Sequence, residues 1–148
     1  MLIVRRARPD EMHTCFAIRY EVFVLGQGVP PELEVDGHDP TCRHVVAMWR
    51  DEAVGTGRLR ITDAGAAKIE RVAVRGGFQG RGIGAAIVGE LEDQAIELGH
   101  TDVLLNAQFS VVPFYEHLGY SVVGEPFMEA CIKHQKMARS LSEPTTES

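Results

Sequence analysis

Apolar and polar positions change period along the chain, and each period predicts an element. Residues 2–6 read as a first strand. Pro9 and Asp10 then open a helix whose apolar face is Met12, Cys15, Phe16, Val22 and Phe23. From 25 to 43 the chain is acidic and punctuated by glycine and proline, which predicts a loop with room for one short helix. Residues 44–50 and 53–62 read as antiparallel strands joined at Asp51-Glu52, and Asp63-Ala64-Gly65 turns the chain into a strand over 68–74. That strand, Lys68-Ile69-Glu70-Arg71-Val72-Ala73-Val74, alternates with period two as far as Ala73. Ile83, Ile87, Val88, Leu91, Ala95 and Leu98 then recur at helical spacing over 82–98. A strand over 101–108, a short helix over 111–118 and two last strands over 120–127 and 130–138 follow. Strands early and late with helices between them give an α/β (α+β) class with a mixed sheet.

Gln79-Gly80-Arg81-Gly82-Ile83-Gly84 lies between the third strand of that run and the long helix. A strand, a glycine turn and a helix make an anion cradle, because free N–H groups and the positive end of the helix dipole converge there. Arg75 and Arg81 are expected to add charge beside it. A phosphate-bearing cofactor is therefore expected, and three are weighed. A Walker A loop ends in Gly-Lys-Ser/Thr, which does not occur in this chain. Gly80-x-Gly82-x-x-Ala85 fits a loose dinucleotide fingerprint, but the next strand ends in Asn106-Ala107-Gln108 without the acidic ribose ligand. Too little chain remains for a doubly wound sheet. The third pattern, Gln/Arg-x-x-Gly-x-Gly/Ala, is met by Gln79, Gly82 and Gly84.

That third pattern resembles the acyl-CoA-binding motif of the GNAT N-acetyltransferases. Asn106-Ala107-Gln108 followed by Pro113-Phe114-Tyr115-Glu116-His117-Leu118-Gly119-Tyr120 is similar to the same superfamily's strand, short helix and Leu-Gly-aromatic stretch. Arg19-Tyr20-Glu21-Val22-Phe23-Val24 with Gln27, Val29-Pro30, Glu34-x-Asp36-x-x-Asp39 and His44 resembles the N-terminal signature of its ElaA/YjcF-like branch. Glu129-Ala130-Cys131-Ile132-Lys133-His134-x-x-Met137 resembles that branch's closing motif. Two departures bear on the acceptor: Gly26 precedes Gln27 where relatives commonly have Glu, and Cys131-Ile132-Lys133 stands where Gly-Ile-Pro is usual.

The resemblance implies a GNAT-like, mostly antiparallel sheet flanked by helices and an enzyme that moves acetyl from acetyl-CoA, without a metal, to a primary amine. It implies that Gln79, Gly80, Arg81, Gly82, Ile83 and Gly84 hold the pyrophosphate. It implies that Val72, Ala73 and Val74 pair with the pantetheine arm and polarise the thioester. Tyr115 falls where many relatives carry the acid that protonates the leaving thiolate, its alternative being a core ring such as Phe114 is expected to be. Asn106 is the matching partner for a cofactor amide or a water, or else a turn cap. Two bases are candidates. Glu70 lies two residues before Val72 and four before Val74, on one strand face, unless it is an ion-pair partner of Lys68 or an arginine. His134 matches an acceptor-side histidine of relatives, and imidazole titrates near neutrality. Direct transfer in a ternary complex is expected, since no cysteine or serine occupies the motif positions beside a base.

With 148 residues, 45% of them hydrophobic, a single domain over 1–139 is expected, followed by a polar disordered tail at 140–148. No apolar run reaches a membrane span, and residues 1–6 lack the long apolar region of a signal peptide. Three cysteines without a CxxC pair suit a reducing cytoplasm. A net charge of −6 argues against nucleic acid. The acidic residues Glu32, Glu34, Asp36 and Asp39 either line a mouth that attracts a cationic amine or form a solvated loop. His38 and His44 near them have no diagnostic metal spacing. The acceptor is open between a small-molecule amine, the favoured partner, and a protein amine, and the resemblance points to a homodimer through the last strands. The rival class is a non-catalytic acyl-CoA-binding sensor that kept the cradle and lost turnover.

Overall fold

The computed structural model describes residues 1–141. One sheet carries every strand: β1 Leu2–Arg6, β2 Arg43–Trp49, β3 Glu52–Ile61, β4 Ala67–Val74, β5 Asp102–Gln108, β6 Ser121–Val122, β7 Phe127–Glu129 and β8 Ile132–Ser140. The order is β1-β2-β3-β4-β5-β8-β6, with β7 also on β8. Every pairing is antiparallel except β4 with β5. The mixed, mostly antiparallel sheet expected from the sequence is the one observed.

The long helix, α3 Ile83–Glu97, covers one face of the sheet and buries Ile83, Ile87, Val88, Leu91 and Ala95, the residues whose spacing predicts it. They meet Val45, Ala47, Leu59, Ile69, Val103 and Leu105 in one apolar core. The helix approaches β3 closely because Gly55 and Gly57 carry no side chain. A Cβ on Gly57 would stand 2.8 Å from Ile87 and 2.9 Å from Leu91. The other face is covered by α1 Met12–Arg19, which follows a 3₁₀ turn at Pro9–Glu11 and leads into a π-helical turn at Tyr20–Leu25. Its buried residues are Cys15, Ile18 and Arg19, whereas Phe16 is partly exposed with the Arg19 guanidinium over its ring. The face expected through Met12 and Phe16 is thus rotated toward Ile18. The reason is that Arg19 must turn inward to meet carboxylates. The short helix of the following loop is α2 Pro31–Glu34, opened by proline at its first position.

Two irregularities position the site. First, β4 and β5 pair only between Ala67–Ile69 and Val103–Leu105, and beyond those rungs the strands part. Second, β4 carries a β-bulge. Thr56 faces Ala73 and Arg58 faces Glu70, so two steps on β3 match three on β4, and Arg71 adopts φ +58°. The bulge reverses the expected alternation. Glu70 shares the α1 face with Arg58 and Arg60, to which it is bonded, while Val72 and Val74 pack against the α3 core. Glu70, Val72 and Val74 therefore do not share a face.

The strand expected over 120–127 is broken into β6 and β7 around Gly124 and Pro126, and the Gln135 side chain donates to the carbonyls of Val123 and Gly124 in the gap. β8 runs on to Ser140, which pairs with Asp102, past the domain end expected at 139. The rest of the expected tail, 142–148, lies outside the described residues. The short helix α4 Val112–His117 buries Tyr115 but leaves Phe114 partly exposed, so the expected core ring is not Phe114.

Because the closest neighbours of a Cβ at Gly57 are helix side chains, Gly57→Ala is expected to overpack the α3–β3 contact. A loss of about 1–3 kcal/mol in urea denaturation is the expected outcome.

Candidate active site

The parted ends of β4 and β5 open a cleft of about 670 Å³. Arg75 donates its N–H to Val54 of β3, and main-chain direction alternates along a strand. The N–H and C=O groups of Val74 and Val72 consequently face away from β3, toward the cleft, while Ala73 turns its carbonyl toward Gly55. Where β4 ends, Gly80 and Gly82 adopt φ +79° and +78° and bring the chain round into α3. Gly82 is the N-cap and has no side-chain cap bond, which leaves the first-turn amides available. A Cβ on Gly84 would approach Phe114 and Val74, two residues of the cleft wall. Gln79, Gly80, Gly82, Ile83 and Gly84 all line the cleft. An extended, phosphate-bearing ligand fits these groups, because an open strand edge leads to a helix N-terminus bare of side chains.

The two arginines expected beside this turn do not line the cleft. Arg81 lies over the rings of Trp49 and Phe78, each 5.3 Å from its guanidinium carbon, and Arg75 bonds the Ala53 carbonyl and pairs with Glu21.

Tyr115, Asn106 and His134 converge on the cleft from α4, β5 and β8. The Tyr115 ring is wedged edge-on between Phe114 and Tyr120, at 4.9 and 5.7 Å between centroids. Burial pushes its phenol up to about 12, so the hydroxyl keeps its proton at neutral pH. His134 lies opposite Gln108 of β5 and stacks on Phe127. Its Nδ1 is 2.7 Å from the carbonyl of Ile132. A carbonyl can only accept, so Nδ1 carries a proton, and the tautomer this selects has its lone pair on Nε2. Asn106 makes no side-chain bond among the described residues. Across the mouth, Gln108 donates to Gln27 at 2.7 Å and Gln27 donates back at 3.4 Å, tying the N-terminal loop to the end of β5.

Glu70 also lines the cleft, but its carboxylate is saturated. Arg58, Arg60 and Lys68 approach it at 2.7, 3.0 and 3.1 Å. Burial pushes its pKa up, and the bonds from Arg60 and Arg58 with the Lys68 charge outweigh burial and hold it at about 2. A carboxylate so stabilised is a poor base, and the ion-pair alternative describes it. The same network absorbs the acidic loop. Arg58, fully buried, spends its five N–H groups on Glu70, Asp36 and Asp39. Arg19 joins Glu34 to Asp39, and Arg71, from the bulge, joins Glu34 to Asp36. Glu34, Asp36 and Asp39 are neutralised and form neither an acidic mouth nor a solvated loop, whereas Glu32 is exposed and makes no ion pair among the described residues. His44 bonds the Asp39 carbonyl through Nε2, and among the described residues no cluster of histidine, cysteine and carboxylates could hold a metal ion.

The sequence matches the family Acetyltransferase (GNAT) domain over residues 10–141. The chain belongs to the GNAT acetyltransferase family. The uncharacterized N-acetyltransferase YjcF of Bacillus subtilis (strain 168) is 37% identical over 131 residues, 88% of this chain and 93% of that protein. The crystal structure of Escherichia coli ElaA superimposes with a TM-score of 0.81 at 25% identity, covering 95% of this chain and all of that one. A GNAT family acetyltransferase from Elizabethkingia anophelis, solved with acetyl-CoA bound, shares the fold with a TM-score of 0.74 at 16% identity, covering 95% of this chain and 98% of that one. The GNAT acetyltransferase reading and its ElaA/YjcF-like branch agree with these relatives, and so does acetyl-CoA as co-substrate.

The residues that the sequence alone did not bring forward are Arg58 and Arg71. Arg58 sits mid-strand among glycines and apolar residues, where a charge must be paired to be buried, and that was the available signal.

Because Glu70 has a lowered pKa in the fold, its contribution to stability is present above the unfolded value of about 4.5 and is lost as pH falls toward about 2. Denaturation midpoints should therefore drop across that window. Arg58→Met leaves three carboxylates facing a missing cation, and a loss of about 3–5 kcal/mol is expected at neutral pH.

Proposed function

We propose that this GNAT acetyltransferase transfers acetyl from acetyl-CoA to the primary amine of a small molecule, directly, in a ternary complex. The observation that carries the reading is the convergence, in the one cleft opened by β4 and β5, of a free strand edge, the Tyr115 phenol and the His134 imidazole. Acetyl-CoA supplies an activated thioester. Val72 and Val74 offer main-chain groups to its amide-bearing arm, and the turn from Gln79 to Gly84 offers amides to its phosphates. An N–H of this edge polarises the acyl carbonyl, and such a fixed donor is usually the largest catalytic contribution.

His134 takes the proton that an alkylammonium must lose before its nitrogen can attack, using Nε2 while Ile132 holds Nδ1–H. The nitrogen forms the new C–N bond, the C–S bond breaks, the Tyr115 hydroxyl donates to the departing sulfur, and the second proton shed by the nitrogen returns through water to the Tyr115 oxygen. The proton on His134 then passes out through water, so the sum is ammonium plus thioester giving amide, thiol and one proton. Asn106 orients an amide or a water beside the acyl group. Glu70 keeps Arg58 and Arg60 in place in this reading and does not act as the base.

Titration calorimetry with acetyl-CoA should give saturable binding, with NAD producing none. Tyr115→Phe and His134→Gln should each retain that binding while kcat for thiol release falls by about 10²-fold. Turnover unchanged in both variants would remove these two residues from the mechanism, and absent acetyl-CoA binding by folded protein would remove the function itself.

A further inference from the structure

The charged groups that line the cleft differ in one respect. Glu34, Lys68, Glu70 and Arg71 are each held in the buried ion-pair network. Glu129 lines the same cleft and makes no ion pair among the described residues. It stands opposite Ile132 on the β7–β8 hairpin, as Phe127 stands opposite His134. Period-two alternation puts Phe127, Glu129, Ile132 and His134 on one face of that hairpin. The one uncompensated carboxylate of the cleft is therefore on the same strand face as the imidazole with the free Nε2. The stretch from the π-helical turn through α2 lines the cleft with Val22, Phe23, Val29 and Leu33, and its two polar members are already engaged, Gln27 with Gln108 and Glu34 with Arg19 and Arg71.

We propose that the acceptor is a primary monoamine on an apolar body without a carboxylate, and that Glu129 holds its ammonium group beside His134. This rests on the acetyltransferase reading above. A carboxylate with no ion pair among the described residues attracts a cation and repels an anion, so amino acids are disfavoured. A polyamine would have to place a second ammonium against the apolar wall, where nothing replaces its water. An arylalkylamine satisfies both halves of the site, with charge toward Glu129 and its ring toward Phe23 and Leu33.

The test is steady-state thiol release with 2-phenylethylamine, phenylalanine, spermidine and the uncharged 4-ethylaniline, on the native chain and on Glu129→Gln. The native chain should prefer 2-phenylethylamine over phenylalanine and spermidine by about tenfold or more in kcat/KM. Glu129→Gln should raise KM for 2-phenylethylamine by about tenfold. KM for 4-ethylaniline should shift far less, and calorimetric acetyl-CoA binding by the same variant serves as the check on folding. A preference for spermidine or phenylalanine, or equal KM shifts for the charged and uncharged amines, overturns the proposal. Acetyl-CoA binding with no thiol release from any amine overturns the parent reading and this one with it.

Discussion

A guanidinium removed from water sits at the centre of this fold, and nearly everything near the cleft is arranged to make its burial tolerable. Arg58 is completely enclosed, and burial opposes its charge. Three carboxylates from two stretches of chain answer it: Asp36 and Asp39 from the loop after α2, and Glu70 from β4. Each of these is shared with a further cation, Arg71, Arg19 and Arg60 respectively. Such networks are poor sources of net stability compared with apolar packing, but removing one member strands the others. Here the network fixes the segment carrying Val22, Phe23 and Leu33 against the strand that carries the free edge. It thereby sets the two walls of the cleft relative to each other.

The bulge at Arg71 belongs to the same arrangement. A non-glycine residue at positive φ is costly, and here its side chain bonds Glu34 and Asp36. With one residue out of register, β4 uses its first half to hold the network and its second half to present Val72 and Val74. A regular strand could not direct Glu70 toward Arg58 and Val72 toward α3 at once.

How much of this was legible in the sequence follows from the range of the interactions involved. Local patterns were readable: the spacing through Ile83, Ile87 and Leu91 located α3, and the run from Gln79 to Gly84 located the turn before it. The cleft residues Tyr115, Asn106, His134 and, Arg81 apart, the Gln79–Gly84 turn are legible through motif resemblance, and the structure brings them to one place. What escaped was set by distant partners. Period two runs straight through Arg71 on paper, and nothing local reveals that Glu34 and Asp36 will turn it outward. The acidic residues of the loop read as available for a ligand because their arginines lie 15 to 37 positions away. Phe114 reads as a core ring and is instead partly exposed, since a helix of six residues has too little periodicity to say which neighbour faces in.

The short parallel seam between β4 and β5 has a mechanical side. Only three rungs join the strands, and beyond them the two halves of the sheet are held by the apolar core under α3 and by the Gln27–Gln108 pair across the mouth. A fluctuation that spreads the halves meets deformable side-chain packing in place of a continuous ladder of hydrogen bonds. The short seam therefore lies where the cleft opens, between the longer ladders of β3 with β4 and of β5 with β8.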